Sequence, residues 1–203
     1  MIARAVAAVL VRLARIALGV SGTFETDLAP GVPRVYVANH TSHLDGVVVW
    51  AALPPAERAR TRPVAAGDYW QATAFRRVIA RDVFRSVFVD RAHVDRETVP
   101  RLAAVLDGGG ALVLFPEGTR GDGTTVGPFR SGLFHLVSHR PDTDVVPVRL
   151  ENLARSLPKG KTLPVPMLGR ATFGAPFRLA PEESKDAFLA RARDAVARLG
   201  APA

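Results

Sequence analysis

An apolar run, Val35-Tyr36-Val37-Ala38, opens directly onto Asn39-His40-Thr41-Ser42-His43-Leu44-Asp45. Apolar residues in unbroken succession predict a buried strand, and the next apolar run, Val47 to Trp50, is compatible with helix or strand. His40 and Asp45 lie five positions apart. In a continuous helix they would face roughly 140° from one another and could not touch. They meet only if the chain turns between them, with His40 leaving the strand and Asp45 in the first turn of a helix. Thr41 or Ser42 would then be the natural N-cap. In that arrangement the carboxylate bonds one imidazole nitrogen, fixes the tautomer and supports the cation formed when the other nitrogen takes a proton. That describes a general base. The plainer alternative is a histidine filling a turn and an aspartate capping a helix, and spacing alone does not separate the two.

A second apolar run, Leu112-Val113-Leu114-Phe115, ends in Pro116-Glu117-Gly118-Thr119-Arg120. It supplies a carboxylate, backbone amides and a guanidinium at a strand end, and glycine lets a backbone approach an anion closely. Between the two runs, Ser86 to Asp90 predicts a short strand that delivers Arg91, a residue able to grip phosphate with two hydrogen bonds or to close a turn with Asp90. Taken in order, Asn39-His40-x-Ser42-x-x-Asp45 and Phe115-Pro116-Glu117-Gly118-Thr119-Arg120 resemble the glycerolipid acyltransferases, specifically the 1-acylglycerol-3-phosphate (PlsC-like) O-acyltransferases. The resemblance extends to Val87-Phe88-Val89-Asp90-Arg91 and Val146-Pro147-Val148, and so runs from about residue 35 to 150. It implies His40 and Asp45 as catalytic residues, with Arg91, Glu117, Gly118, Thr119 and Arg120 binding substrate. Phe129-Arg130-Ser131-Gly132 resembles the family's downstream Phe-Lys/Arg-x-Gly, which adds Arg130 as a phosphate ligand. The expected reaction moves a fatty acyl group from acyl-CoA or acyl carrier protein to a lysophospholipid hydroxyl, turning 1-acylglycerol-3-phosphate into phosphatidic acid. The alkoxide attacks the thioester directly, so no enzyme nucleophile and no cofactor or metal is called for. The lack of cysteine and of a Gly-x-Ser-x-Gly elbow agrees with that.

Charge and hydropathy bound the partners. With 203 residues, 48% apolar, the chain is sized for one domain with a proper core. Its net charge of +8 asks for an anionic partner. Stacking aromatics among clustered basic residues are not evident, so nucleic acid is not expected. No apolar run reaches the ~18 residues of a membrane-spanning helix.

Ile2 to Gly19 is alanine- and valine-rich and carries Arg4, Arg12 and Arg15. At 100° per residue these arginines fall at roughly 0°, 80° and 20°, one basic stripe on an apolar cylinder. A helix there would be roughly 25 Å long, shorter than the ~30 Å hydrocarbon core. It reads as a helix lying in an anionic membrane interface with its arginines toward phosphates. Packing against the domain and a signal peptide cleaved near Ala17-Leu18-Gly19 are the competing readings. The expected organisation is an amphipathic membrane-associating helix over 1–20 and an acyltransferase domain over 21–203, held peripherally on the cytoplasmic side of the cell membrane.

The remaining pattern predicts an α/β fold: a single mixed sheet flanked by helices, with both motifs at one sheet edge. Gly22 to Pro33 reads as a connector, Glu57 to Arg62 as a loop or short helix, and Tyr69 to Arg81 as an amphipathic helix packing aromatics on the core or walling an acyl chain. Val94 to Leu106 predicts a helix stopped by Gly108-Gly109-Gly110, a turn rather than a nucleotide-binding loop. Gly132 to Arg140 predicts a helix whose His135 and His139 lack the glutamate of a zinc-peptidase motif. Val145 to Leu150 reads as a strand that Pro147 assigns to an edge or bulge. A loop over Pro158 to Pro166, a strand near Ala171 to Phe173 and a final helix from Pro181 complete the chain. Two rival functions stand beside acyl transfer: a lipid esterase using the same His-Asp pair on water, and a basic non-catalytic membrane-binding protein.

Overall fold

The computed structural model describes residues 6, 9, 11, 12, 19–42, 44–90, 97–151 and 169–200. Its strands are β1 (Ser21–Phe24), β2 (Arg34–Ala38), β3 (Thr61–Ala66), β4 (Val87–Val89), β5 (Ala111–Leu114), β6 (Asp144–Glu151) and β7 (Arg170–Phe173). They form one sheet in the order β1-β7-β6-β2-β5-β3-β4. β6, β2, β5, β3 and β4 run parallel, whereas β7 pairs antiparallel with β6 and parallel with β1. The sheet is therefore mixed, as expected. Helices α1 (Asp45–Ala52), α2 (Pro55–Arg60), α3 (Gly67–Trp70), α4 (Ala74–Val78), α5 (Thr98–Asp107), α6 (Gly132–His139) and α7 (Lys185–Arg198) connect and cover it.

Alternation along the strands divides the core into two apolar layers. Tyr36, Ala38, Val113, Val146 and Val148 face Val48, Val49 and Trp50 of α1 together with Phe84. Val35, Val37, Leu112 and Val145 face the other way, against Leu102 and Leu106 of α5, Leu136 of α6 and Phe188 and Val196 of α7. Both faces of β2 are thus buried, which is why its sequence shows no polar alternation. The N-terminal edge is held by a polar cluster. Arg34, fully buried, pairs with Glu57 of α2 at 3.1 Å, and Tyr36 donates its hydroxyl proton to the same carboxylate at 2.8 Å. Arg60 adds two further bonds to Glu57. Burial opposes the charge on Glu57, yet the hydrogen bonds from Arg60 and Tyr36 and the nearby guanidinium charges hold its carboxyl below the usual range. Burial and the Glu57 charge push the Tyr36 phenol up.

Four expectations are corrected. Gly22 to Phe24, read as the start of a connector, belong to an edge strand, Ser21–Phe24, on β7. Thr61 and Arg62, read as the end of a loop or short helix, open an internal strand, Thr61–Ala66, between β5 and β4. The single helix expected over Tyr69 to Arg81 is broken into α3, α4 and a π-helical turn, Ile79–Val83. Pro147 lies in an internal strand rather than at an edge. Its carbonyl accepts from the amide of Gly174, just past the end of the β6–β7 ladder at Val148↔Phe173, so its missing N–H costs no regular rung. Among the N-terminal residues described, Val11 belongs to the core while Val6, Val9 and Arg12 are exposed. Arg4, Arg15 and the predicted loop over Pro158 to Pro166 fall outside the described residues.

Candidate active site

β2 and β5 are parallel neighbours with Val37 opposite Leu114, so the segments that follow them leave the sheet side by side. Asn39 extends β2 by one step beyond its ladder. Its side-chain amide donates to the Leu150 carbonyl at 3.0 Å and its oxygen accepts from the Leu150 amide at 2.7 Å. The side chain stands in for a strand residue and aims the backbone of His40. The chain then turns, and α1 begins at Asp45.

Within that turn, Asp45 Oδ2 accepts from His40 Nδ1 at 2.8 Å and from the backbone amide of Ser42 at 2.8 Å. The Thr41 amide donates to the same oxygen. Those amides require an acceptor, so Nδ1 carries the imidazole proton and Nε2 presents its lone pair. The predicted N-cap is corrected: neither Thr41 nor Ser42 caps α1. Leu44 occupies the cap position, and the Ser42 hydroxyl accepts instead from the Leu44 amide. The Asp45 carboxylate, turned back onto the preceding amides, organises the bend itself.

The second motif clasps His40 from the other side. Glu117 Oε1 accepts from the His40 amide at 2.7 Å, and Oε2 accepts from the Gly127 amide at 2.9 Å. The His40 carbonyl accepts from the Gly121 amide at 2.8 Å. The imidazole stacks on the Phe115 ring with centroids 4.5 Å apart. Gly118 adopts φ of +71°, and a Cβ there would lie 2.4 Å from Arg130 Nε. Arg130 donates from that nitrogen to the Glu117 carbonyl at 3.2 Å. Thr119 and Arg120 follow in the same turn, and among the described residues no side-chain bond is made by Arg120. His40 and Gly118 line a cleft of about 170 Å³ with Val47, Ala65, Trp70 and Phe84. Arg91 and His43 lie outside the described residues.

The structure thus gathers His40, Asp45, Glu117, Gly118 and Arg130 at one sheet edge. Asn39, Phe115, Gly121 and Gly127 were missed as contributors. Asn39 and Phe115 stand inside the motifs, but Gly121 and Gly127 gave no local signal, because only the folded loop brings their amides to His40 and Glu117. His135 and His139 are both exposed on α6, and no group of three or more His, Asp or Glu side chains among the described residues is placed to hold a metal ion.

A family model described as acyltransferase matches residues 20–151, more than half of the chain. The chain belongs to the acyltransferase family. Membership agrees with the motif resemblance to the glycerolipid, PlsC-like branch. The lyso-ornithine lipid O-acyltransferase of Brucella abortus (strain 2308) is 37% identical over 113 residues, covering 53% of this chain and 38% of that protein. The chain therefore spans well under half the length of this curated relative. The crystal structure of the 1-acyl-sn-glycerophosphate (LPA) acyltransferase PlsC from Thermotoga maritima superposes with a TM-score of 0.73 over 99% of this chain and 82% of that one, at 19% identity. At that identity the likeness establishes a shared fold. The acyltransferase match spans both motifs, from before β1 to the end of β6.

Proposed function

We propose that this chain transfers a fatty acyl group from an acyl thioester, acyl-CoA or acyl carrier protein, to a hydroxyl of a lysophospholipid, with 1-acylglycerol-3-phosphate as acceptor and phosphatidic acid as product. The observation that carries the reading is His40, bonded through Nδ1 to Asp45 and bordering an apolar cleft. In the reaction Nε2 removes the acceptor's hydroxyl proton and the oxygen attacks the thioester carbonyl carbon. The carbon–sulfur bond then breaks, and the departing thiolate takes the proton back from Nε2, leaving the base as it began. Asp45 stabilises the imidazolium between these steps. Trp70, Phe84 and Val47 give the acyl chain an apolar wall beside the base. Arg120 and Arg130 provide the cationic side for the acceptor's phosphate, beside Gly118 and Thr119, and Arg91 is a further phosphate ligand in the same proposal. Glu117 supports that side by holding the turn, its oxygens both being engaged by backbone amides.

The Brucella relative favours a second acceptor, lyso-ornithine lipid, whose headgroup is an amino acid. An arginine pocket can receive a carboxylate as well as a phosphate. Purified protein assayed with both acceptors, each against acyl-CoA and acyl carrier protein, decides between them. Product only with 1-acylglycerol-3-phosphate is expected. Arg120→Ala should raise that acceptor's KM by roughly ten- to a hundredfold and leave the donor's KM near its original value. Fatty acid released without any thioester donor would instead identify an esterase. Membrane docking through residues 1–20, peripheral and on the cytoplasmic face, belongs to the same proposal. It is supported by exposed Val6 and Val9 near exposed Arg12 in sequence, and by Phe75, 74% exposed on α4. Among the described residues no helix is long and apolar enough to cross a membrane.

A further inference from the structure

A second depression, about 780 Å³, lies at the N-terminal ends of β3 and β4 and beside the Gly108–Gly110 turn. Arg60, Arg62, Arg85 and Arg101 line it, and no acidic residue does. Arg60 is already engaged: it bonds Glu57, the Val32 carbonyl and the Gly109 carbonyl. Arg62 and Arg85 make no hydrogen bond or ion pair among the described residues, although Arg62 is half-buried. A half-buried cation without a partner, as at Arg62, is costly, and the cost is relieved when an anion arrives, whereas Arg85 stands exposed at the groove's rim. Arg85 also adopts φ of +53°, in the left-handed region that a bulky side chain rarely occupies. The glycine turn does not supply the recognition, since the amides of Gly108, Gly109 and Gly110 are bonded to Ala104, Leu106 and Val105 carbonyls. Those bonds, with Arg60 on the Gly109 carbonyl, also cover the carbonyl end of α5. The guanidinium groups of Arg62 and Arg85 are left as the recognition elements.

Ser86 connects the two sites, lining both this groove and the apolar cleft beside His40. We propose that the groove is an anion subsite for the phosphate-bearing nucleotide end of a coenzyme A-type donor, whose pantetheine arm passes Ser86 to bring the thioester to the cleft. The groove's size suits a nucleotide, and its phosphates match the two unengaged arginines, Arg62 and Arg85. The inference rests on the acyl-transfer reading for its donor, but coenzyme A binding can be measured without turnover. Titration calorimetry of the full chain with free coenzyme A should show saturable binding that weakens with added salt. Pantetheine, lacking phosphates, should not bind. Arg62→Gln and Arg85→Gln should each weaken coenzyme A binding about tenfold or more and raise KM for acyl-CoA by a similar factor, with acceptor KM and Tm unchanged. Arg62→Lys should recover part of the binding if the side chain acts through charge. Undiminished binding in both glutamine variants overturns the subsite. So does an effect confined to an acyl carrier protein donor, which would assign these arginines to the carrier's surface. If transfer activity is present and indifferent to both variants, the function survives and the groove does not. If coenzyme A binds through these arginines and no transfer occurs, the groove survives without the function.

Discussion

At His40, backbone and ring are fixed separately, and the two fixations respond differently to mutation. Asp45 and Phe115 hold the ring, while Glu117 and Gly121 hold the amide and carbonyl. Loss of the proposed base by His40→Ala is expected to lower kcat by about 10²- to 10⁴-fold, with Tm little changed. Asp45→Ala should cost less in kcat but lower Tm, because it strands the half-buried amide of Thr41 and the buried amide of Ser42. A thermal melt beside each rate separates these outcomes. Equal kcat in His40→Ala and wild type would remove the base assignment. Glu117→Gln tests the second fixation. Glutamine has one acceptor oxygen for two N–H donors, so one amide loses its bond at a cost of about 1–3 kcal/mol. Tm should fall by about 2–4 °C per kcal/mol, and kcat should fall with it as His40 loosens. A raised acceptor KM with unchanged Tm would show that Glu117 touches the substrate instead. The sequence exposed the ends of this arrangement, His40, Asp45, Glu117 and Arg130. It hid how Glu117 is used, because a carboxylate looks the same in a motif whether it faces a ligand or a buried amide.

Elements were legible where one local signal matched the fold. β2, β5 and β6 announced themselves as apolar runs, and α7 as Phe188, Ala192 and Val196 at helical spacing, although it begins after its Ser184 cap rather than at the expected Pro181. β3 carries Arg62 and Pro63 and lacks the usual run of β-branched residues, so only its place between β5 and β4 makes it a strand. β1 is short and largely exposed, and pairing with β7 alone defines it. α2 was half-visible, since its helical turn could be read but not its purpose, which is to bring Glu57 to Arg34 and Tyr36 of β2. That cluster sets an acid limit on the fold. A carboxyl held below its ordinary 4.5 in the folded state contributes stability that is fully present above the unfolded pKa. The contribution is lost as pH falls through the lower folded value. Denaturant melts from pH 7 down to 3 should therefore show wild type losing stability below about pH 4.5. Glu57→Gln should be less stable at pH 7 and lose less on acidification. A parallel acid limb in both proteins would mean that other carboxylates control it.

At the scale of the whole molecule, the proposed site has to meet substrate held in a bilayer. The N-terminal residues point in two directions: Val11 is 7% exposed within the core, whereas Val9 is 55% exposed. Cutting away residues 1–20 would thus remove a core contact as well as any anchor, and burial of a valine is worth about 1.5–3 kcal/mol. Substitutions that spare Val11 separate the two roles. Arg4→Gln/Arg12→Gln/Arg15→Gln should weaken binding to anionic liposomes, each charge contributing on the order of 1 kcal/mol, and the difference from wild type should vanish at high salt. Val6→Ser/Val9→Ser should weaken binding by an amount that salt does not change, because the lost contribution is apolar transfer. Both variants should keep the wild-type Tm and their activity on a short-chain, water-soluble acceptor, and lose activity on bilayer substrate. If instead the valine pair lowers Tm and depresses both activities alike, the segment is part of the core and bilayer contact must be sought at exposed Phe75 and Val78 of α4, beside Arg76 and Arg77.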